Sequence, residues 1–139
     1  MQPMNCHRFT WNQFELAVED LAEKLRPYAS KRIIYGQPRG GVCLAVALSH
    51  ELGIPYTATH RGHDKLIWVD DVINTGDTYT KCRMIMPLDT IYCAWVSRQT
   101  GTGAYVHMID PSPRAIVFPW ERMEPENQIR EVKNASYSQ

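Results

Sequence analysis

Two carboxylates, Asp70 and Asp71, directly follow the apolar run Leu66-Ile67-Trp68-Val69, and Asn74-Thr75-Gly76-Asp77-Thr78 comes soon after. Adjacent like charges disfavour joint ionisation unless something compensates them. A vicinal diol, or a hydrated divalent cation bound to one, supplies that compensation. Gly76 lets the main chain turn its N–H groups toward an anion, and Thr75 and Thr78 add hydroxyl donors. A helix opening at Asp77 or Thr78 adds a favourable dipole. Carboxylates for sugar hydroxyls beside a nest for phosphate describe one ligand class, a ribose 5-phosphate.

A second chemical segment is Gly36-Gln37-Pro38-Arg39-Gly40-Gly41-Val42. Gly40 and Gly41 permit close backbone approach to a ligand, and the Arg39 guanidinium can fork onto phosphate oxygens. The remaining candidates carry less. His60 and His63 lack further ligands at metal-site spacing and read as a polar hairpin. Cys6, Cys43, Cys82 and Cys93 form no C-x-x-C pair and read as free thiols of a reducing compartment. Asn134-Ala135-Ser136 matches a glycosylation sequon by chance.

The elements that must position these groups alternate. Thr10-Trp11-Asn12-Gln13 fits a capping box, and Trp11, Phe14, Val18, Leu21 and Leu25 give one apolar helical face, ended by Pro27. Residues 1–8 read as a loose tail or an edge extension. Strands are expected over 33–35, 56–59, 66–69, 91–96, 105–108 and 116–118. Helices are expected over 42–52, capped by Gly53, and from Asp77 or Thr78 to about Met86, with a further one near 126–132. Met84 and Met86 read as helix-end packing residues. This order predicts an α/β fold with parallel crossovers, which binds ligands beyond the carboxyl ends of its strands. Both glycine loops leave strands at that edge and therefore converge.

The bulk properties narrow the function classes. With 139 residues, 44% of them hydrophobic and 22% charged, the chain reads as one soluble domain. Fifteen basic residues balance fifteen acidic ones, so nothing suggests a nucleic-acid partner. No apolar run approaches the ~20 residues of a membrane helix, and the N-terminus lacks the segments of a signal peptide. A cytoplasmic protein is expected.

The Leu66–Thr78 segment resembles the fingerprint of the type I phosphoribosyltransferases, four mostly apolar residues, two acids, two apolar residues and a Thr/Gly phosphate loop. Pro38-Arg39-Gly40-Gly41 resembles the diphosphate loop of the xanthine-guanine group, and Ile116-Val117-Phe118-Pro119-Trp120-Glu121 resembles part of that group's hood. The resemblance implies a Rossmann-like, mostly parallel sheet flanked by helices, as a single domain over 1–139. Its core would span about 30–110, and the small hood about 111–125 together with the N-terminal segment.

The implied activity is transfer of the phosphoribosyl group from phosphoribosyl diphosphate to guanine, xanthine or hypoxanthine, giving a nucleoside monophosphate. The implied cofactor is Mg2+, held indirectly by Asp70 and Asp71 through water and ribose hydroxyls. Asn74, Thr75, Gly76, Asp77 (through its main chain) and Thr78 would hold the 5-phosphate, and Pro38, Arg39, Gly40 and Gly41 the diphosphate. Arg98, Ile116, Phe118 and Trp120 would line the base. A homodimer or homotetramer is implied as well.

The chain also departs from the pattern. Asn74 stands where purine-using members often carry a general-base Asp, Arg98 where they carry a Lys, and Ala115 where an aromatic residue stacks on the purine. Trp68 is bulkier than usual in the strand. Only His60-Arg61-Gly62-His63-Asp64-Lys65 occupies the place of a long mobile loop. These departures suit an alternative, a catalytically weak or inactive member that binds a nucleotide or phosphoribosyl diphosphate as a regulator.

Overall fold

The structure, a computed structural model, describes residues 6–121. Its elements in chain order are β1 (Cys6–Arg8), α1 (Trp11–Leu25), a 3₁₀ turn (Arg26–Tyr28), β2 (Ile33–Gly36), α2 (Val42–Leu52) and β3 (Tyr56–Thr57). There follow β4 (Leu66–Ile73), α3 (Asp77–Ile85), β5 (Ile91–Ser97), β6 (Tyr105–Ile109) and β7 (Ala115–Val117). The helix expected near 126–132 and the sequon lie outside the described residues.

The chain divides into two compact units, with the boundary after Glu15 inside α1 and again after Pro111. The larger one, Leu16–Pro111, holds a five-stranded sheet in the order β3-β2-β4-β5-β6, every pair parallel. This is the expected α/β fold. Leu66, Ile67, Trp68 and Val69 are all buried, as strands covered on both faces require. Register carries Tyr35, Trp68 and Tyr92 into one row across β2, β4 and β5. With Leu66 they pack against Cys82 and Met86 of the α3 region. Helix α1 contributes Ala17, Val18, Leu21, Ala22 and Leu25 to the core. Asp20, ion-paired with Lys24 at 2.9 Å and hydrogen-bonded to His107 Nδ1 at 2.8 Å, ties it to β6.

In the smaller unit, β1 pairs parallel with β7, so residues 6–8 are an edge strand rather than a loose tail. Phe118 stacks on Phe9 at 5.6 Å and, nearly parallel, on Trp120 at 5.1 Å.

Several expected boundaries move. β4 runs on to Ile73 instead of stopping at Val69, because its pairing with β5 continues to Ile73 opposite Ser97. The acid pair therefore lies within a strand. β3 stops at Thr57, and β7 covers Ala115–Val117 rather than 116–118. Met86 packs as expected at 8% exposure, but Met84 points outward at 80%. Trp11, assigned to the buried helix face, is half-exposed; it sits in the first turn, edge-on to Phe14.

Candidate active site

β4 is longer than β2, and this difference makes the site. β2 ends at Gly36 opposite Val69, and Gln37 N–H gives the last bond on that side, to the Val69 carbonyl at 2.7 Å. From Asp70 to Ile73, β4 overhangs its neighbour. The chain order reverses here, since β2 leads outward to β3 while β4 leads through α3 to β5 and β6. Such a switch point opens a crevice at the carboxyl ends of parallel strands.

Into it turns the loop after β2, closed by Gly41 N–H to the Gln37 carbonyl at 2.8 Å. Its contact with the overhang is tight: a Cβ placed on Gly40 would overlap the Asp71 carboxylate, and one on Gly41 would overlap the Val69 carbonyl. The two glycines are thus required by approach to the acid strand itself. Pro38 and Arg39 are exposed beside them, and the peptide joining these two is cis.

Asp70 Oδ1 accepts the Asp71 N–H at 2.8 Å, and Asp71 Oδ1 accepts the Val72 N–H at 2.7 Å. Burial pushes the Asp70 carboxyl well above the ordinary carboxylate range, and the charge of Asp71 pushes the same way. Burial also raises Asp71. Two carboxyls that resist ionisation together are a seat for positive charge or for hydroxyl donors.

Next comes the loop of Asn74 to Thr78. Gly76 takes φ 87° and caps α3, and Asp77 N–H is held by Thr75 Oγ1 at 3.2 Å. Asn74 and Thr75 are exposed at its rim. A cleft of about 440 Å³ is lined by Thr75, Gly76, Asp77, Thr80, Gln99 and Thr100, among others. Arg98 lies alongside: its N–H bonds the Ile73 carbonyl at 2.8 Å, its Nε donates to Asn74 Oδ1 at 3.5 Å, and its Nη1 lies 4.0 Å from the Asp110 carboxylate.

Among solved structures the chain is similar to the purine phosphoribosyltransferase of Pyrococcus horikoshii Ot3, at 29% identity over 86% of this chain and 96% of that one, with a TM-score of 0.68. It is similar also to the xanthine-guanine-hypoxanthine phosphoribosyltransferase of Helicobacter pylori, at 12% identity, 93% and 99% coverage and a TM-score of 0.65. A hypothetical protein of Neisseria gonorrhoeae with bound ppGpp matches at 16% identity, 97% and 99% coverage and a TM-score of 0.65. The chain has the type I phosphoribosyltransferase fold. In fold it is related to the purine phosphoribosyltransferases. No family model matches it.

On this phosphoribosyltransferase fold, the larger unit brings together Pro38, Arg39, Gly40, Gly41, Asp70, Asp71, Asn74–Thr78 and Arg98. Ile116 and Phe118 belong to the smaller unit, where both are buried and Phe118 is already stacked on two rings. Two residues escaped the sequence reading. His60 is no polar hairpin residue: its ring lies 5.2 Å from Trp68 and 5.4 Å from Tyr35, which also gives the bulky Trp68 its partners. Gln99 carried no signal in the sequence, and it bonds the main chain of Asn74 and Thr75. Among the described residues no three His, Cys, Asp or Glu side chains are grouped to hold a metal, and no helix is long and apolar enough to cross a membrane.

Proposed function

We propose that the chain transfers the phosphoribosyl group of phosphoribosyl diphosphate to a 6-oxopurine base, guanine, xanthine or hypoxanthine, releasing diphosphate. The observation that carries this reading is the contact of Gly40 with the Asp71 carboxylate. It supports the reading because it brings the 37–41 loop against the acid strand that leads into the 74–78 loop, where the three would serve the diphosphate, ribose and 5-phosphate of that substrate.

In this reading Asp70 and Asp71 accept the ribose hydroxyls and stabilise positive charge developing at the anomeric carbon. The main-chain N–H groups of Thr75 to Thr78 hold the 5-phosphate, and Arg39 holds diphosphate oxygens. The acid pair fits Mg2+ bound through water and sugar oxygens, since a nearby cation would offset the burial that opposes ionisation of both carboxyls. When bound, the ion would neutralise charge on the diphosphate. The base nitrogen forms a bond to the anomeric carbon as the bond to diphosphate breaks, and the base gives up its proton to solvent. Asn74 is a poor proton acceptor, which makes base activation slow. Arg98, oriented by Asp110, donates to a base oxygen.

Diphosphate release should be measured with phosphoribosyl diphosphate and Mg2+ against guanine, xanthine, hypoxanthine, adenine, orotate and uracil. Turnover with a 6-oxopurine is the expected result. Measurable nucleotide binding with no turnover for any base would replace it with the second reading, a regulator that binds a nucleotide or phosphoribosyl diphosphate. The contact of Asn74 Oδ1 with Arg98 and the short 58–65 connection favour that second reading.

A further inference from the structure

Gln99 bonds the main chain of the 74–78 loop, although no ligand contact is assigned to it. Its Nε2 donates to the main-chain carbonyl of Asn74 at 3.3 Å and, in a shorter bond, to that of Thr75. Gln99 is itself held from below. Ser97, fully buried at the end of β5, donates from Oγ to the Gln99 carbonyl at 2.7 Å and accepts the Gln99 N–H at 3.1 Å. A chain of hydrogen bonds thus runs from the core to the two carbonyls that precede Thr75 N–H and Gly76 N–H.

In a trans peptide the C=O and the N–H point to opposite sides of the plane. Carbonyls drawn onto the Gln99 amide therefore turn the following N–H groups the other way. An anion is attracted by those N–H groups and repelled by carbonyl oxygens. Left untethered, a loop with Gly76 at positive φ has the freedom to rotate its peptides and present oxygen to the ligand. Both amide hydrogens of Gln99 are spent on this restraint, one on each carbonyl.

We infer that Gln99 is a positioning residue for the 5-phosphate, holding the Asn74 and Thr75 carbonyls away so that the main-chain N–H groups form the nest. The inference rests on the phosphoribosyl reading of this site. Ribose 5-phosphate and magnesium diphosphate should be titrated separately by calorimetry into the full chain, into Gln99→Met and into Gln99→Ala. The Met variant keeps the length of the side chain and removes its donors. Ribose 5-phosphate should bind about tenfold more weakly to both variants, the scale of one or two lost neutral hydrogen bonds. Magnesium diphosphate binding should stay unchanged. Full ribose 5-phosphate affinity in Gln99→Met, or a parallel loss of both ligands, overturns the inference. If the unaltered chain fails to bind ribose 5-phosphate, the phosphoribosyl reading falls first and the inference with it.

Discussion

Asp70 and Asp71 are costly for the fold to ionise, and on the proposed reading a ligand removes that cost. Their folded pKa values lie above the ordinary 3.8, so the fold favours the neutral carboxyls. That preference stabilises the fold below the unfolded pKa and is lost as pH rises through the folded values. An Asp70→Asn variant keeps the oxygen that accepts the Asp71 N–H but carries no charge. At neutral pH its ligand-free thermal midpoint should exceed that of the unaltered chain, and the gap should widen as pH climbs from about 4. Its affinity for Mg2+ with phosphoribosyl diphosphate should fall. A variant less stable than the parent at neutral pH would show that the pair is not strained by charge. Asp20 behaves oppositely. Burial raises it, yet hydrogen bonds from His107 and Lys24 together hold it below 3.8, so its contribution is present above that value and disappears as pH falls. At this scale the acids and the Thr/Gly loop were legible because they are contiguous. Gln99 and His60 were not, since each acts on a segment that only the sheet brings near.

The elements followed their local signals where those signals were complete. Thr10 Oγ1 accepts the Gln13 N–H at 3.1 Å, and Gln13 Oε1 accepts the Thr10 N–H at 2.8 Å, the reciprocal bonds read from the sequence. Thr10→Ala should lower stability by about 1 kcal/mol, measured by chemical denaturation, and Thr10→Ser should restore most of it. Equal loss in both variants would assign the cost to packing instead. Gly53 ends α2 in the left-handed conformation, as its position promised. Strand ends were harder to read. Apolar character stops at Val69, and nothing local shows that hydrogen bonds to β5 carry β4 through two aspartates. The 58–65 segment is another case: polar residues suggest a solvated turn, but His60 pins it to the aromatic row of the sheet.

For the whole molecule, the parallel α/β order was legible from alternating patterns, while the pairing of β1 with β7 was not. Its two strands are short, lack a period and come from opposite ends of the described chain. The arrangement of the larger unit also sets where the molecule gives way first. β4 is flanked by β2 and β5 up to Val69, and the overhang beyond it by β5 alone. On the proposed reading the sugar half of the site is built on that strand, and the phosphate half on a loop restrained by side chains. Local opening should be graded accordingly. In hydrogen–deuterium exchange, amides of β4 before the overhang should be among the last to label, and those of residues 74–77 among the first. Adding ribose 5-phosphate should slow the loop and leave the strand unaffected. Slowing in β4 but not in the loop would place the anion elsewhere. If the proposed reading holds, the crevice pairs a wall fixed by the sheet with a wall fixed by side chains, and only the second should answer to a phosphate.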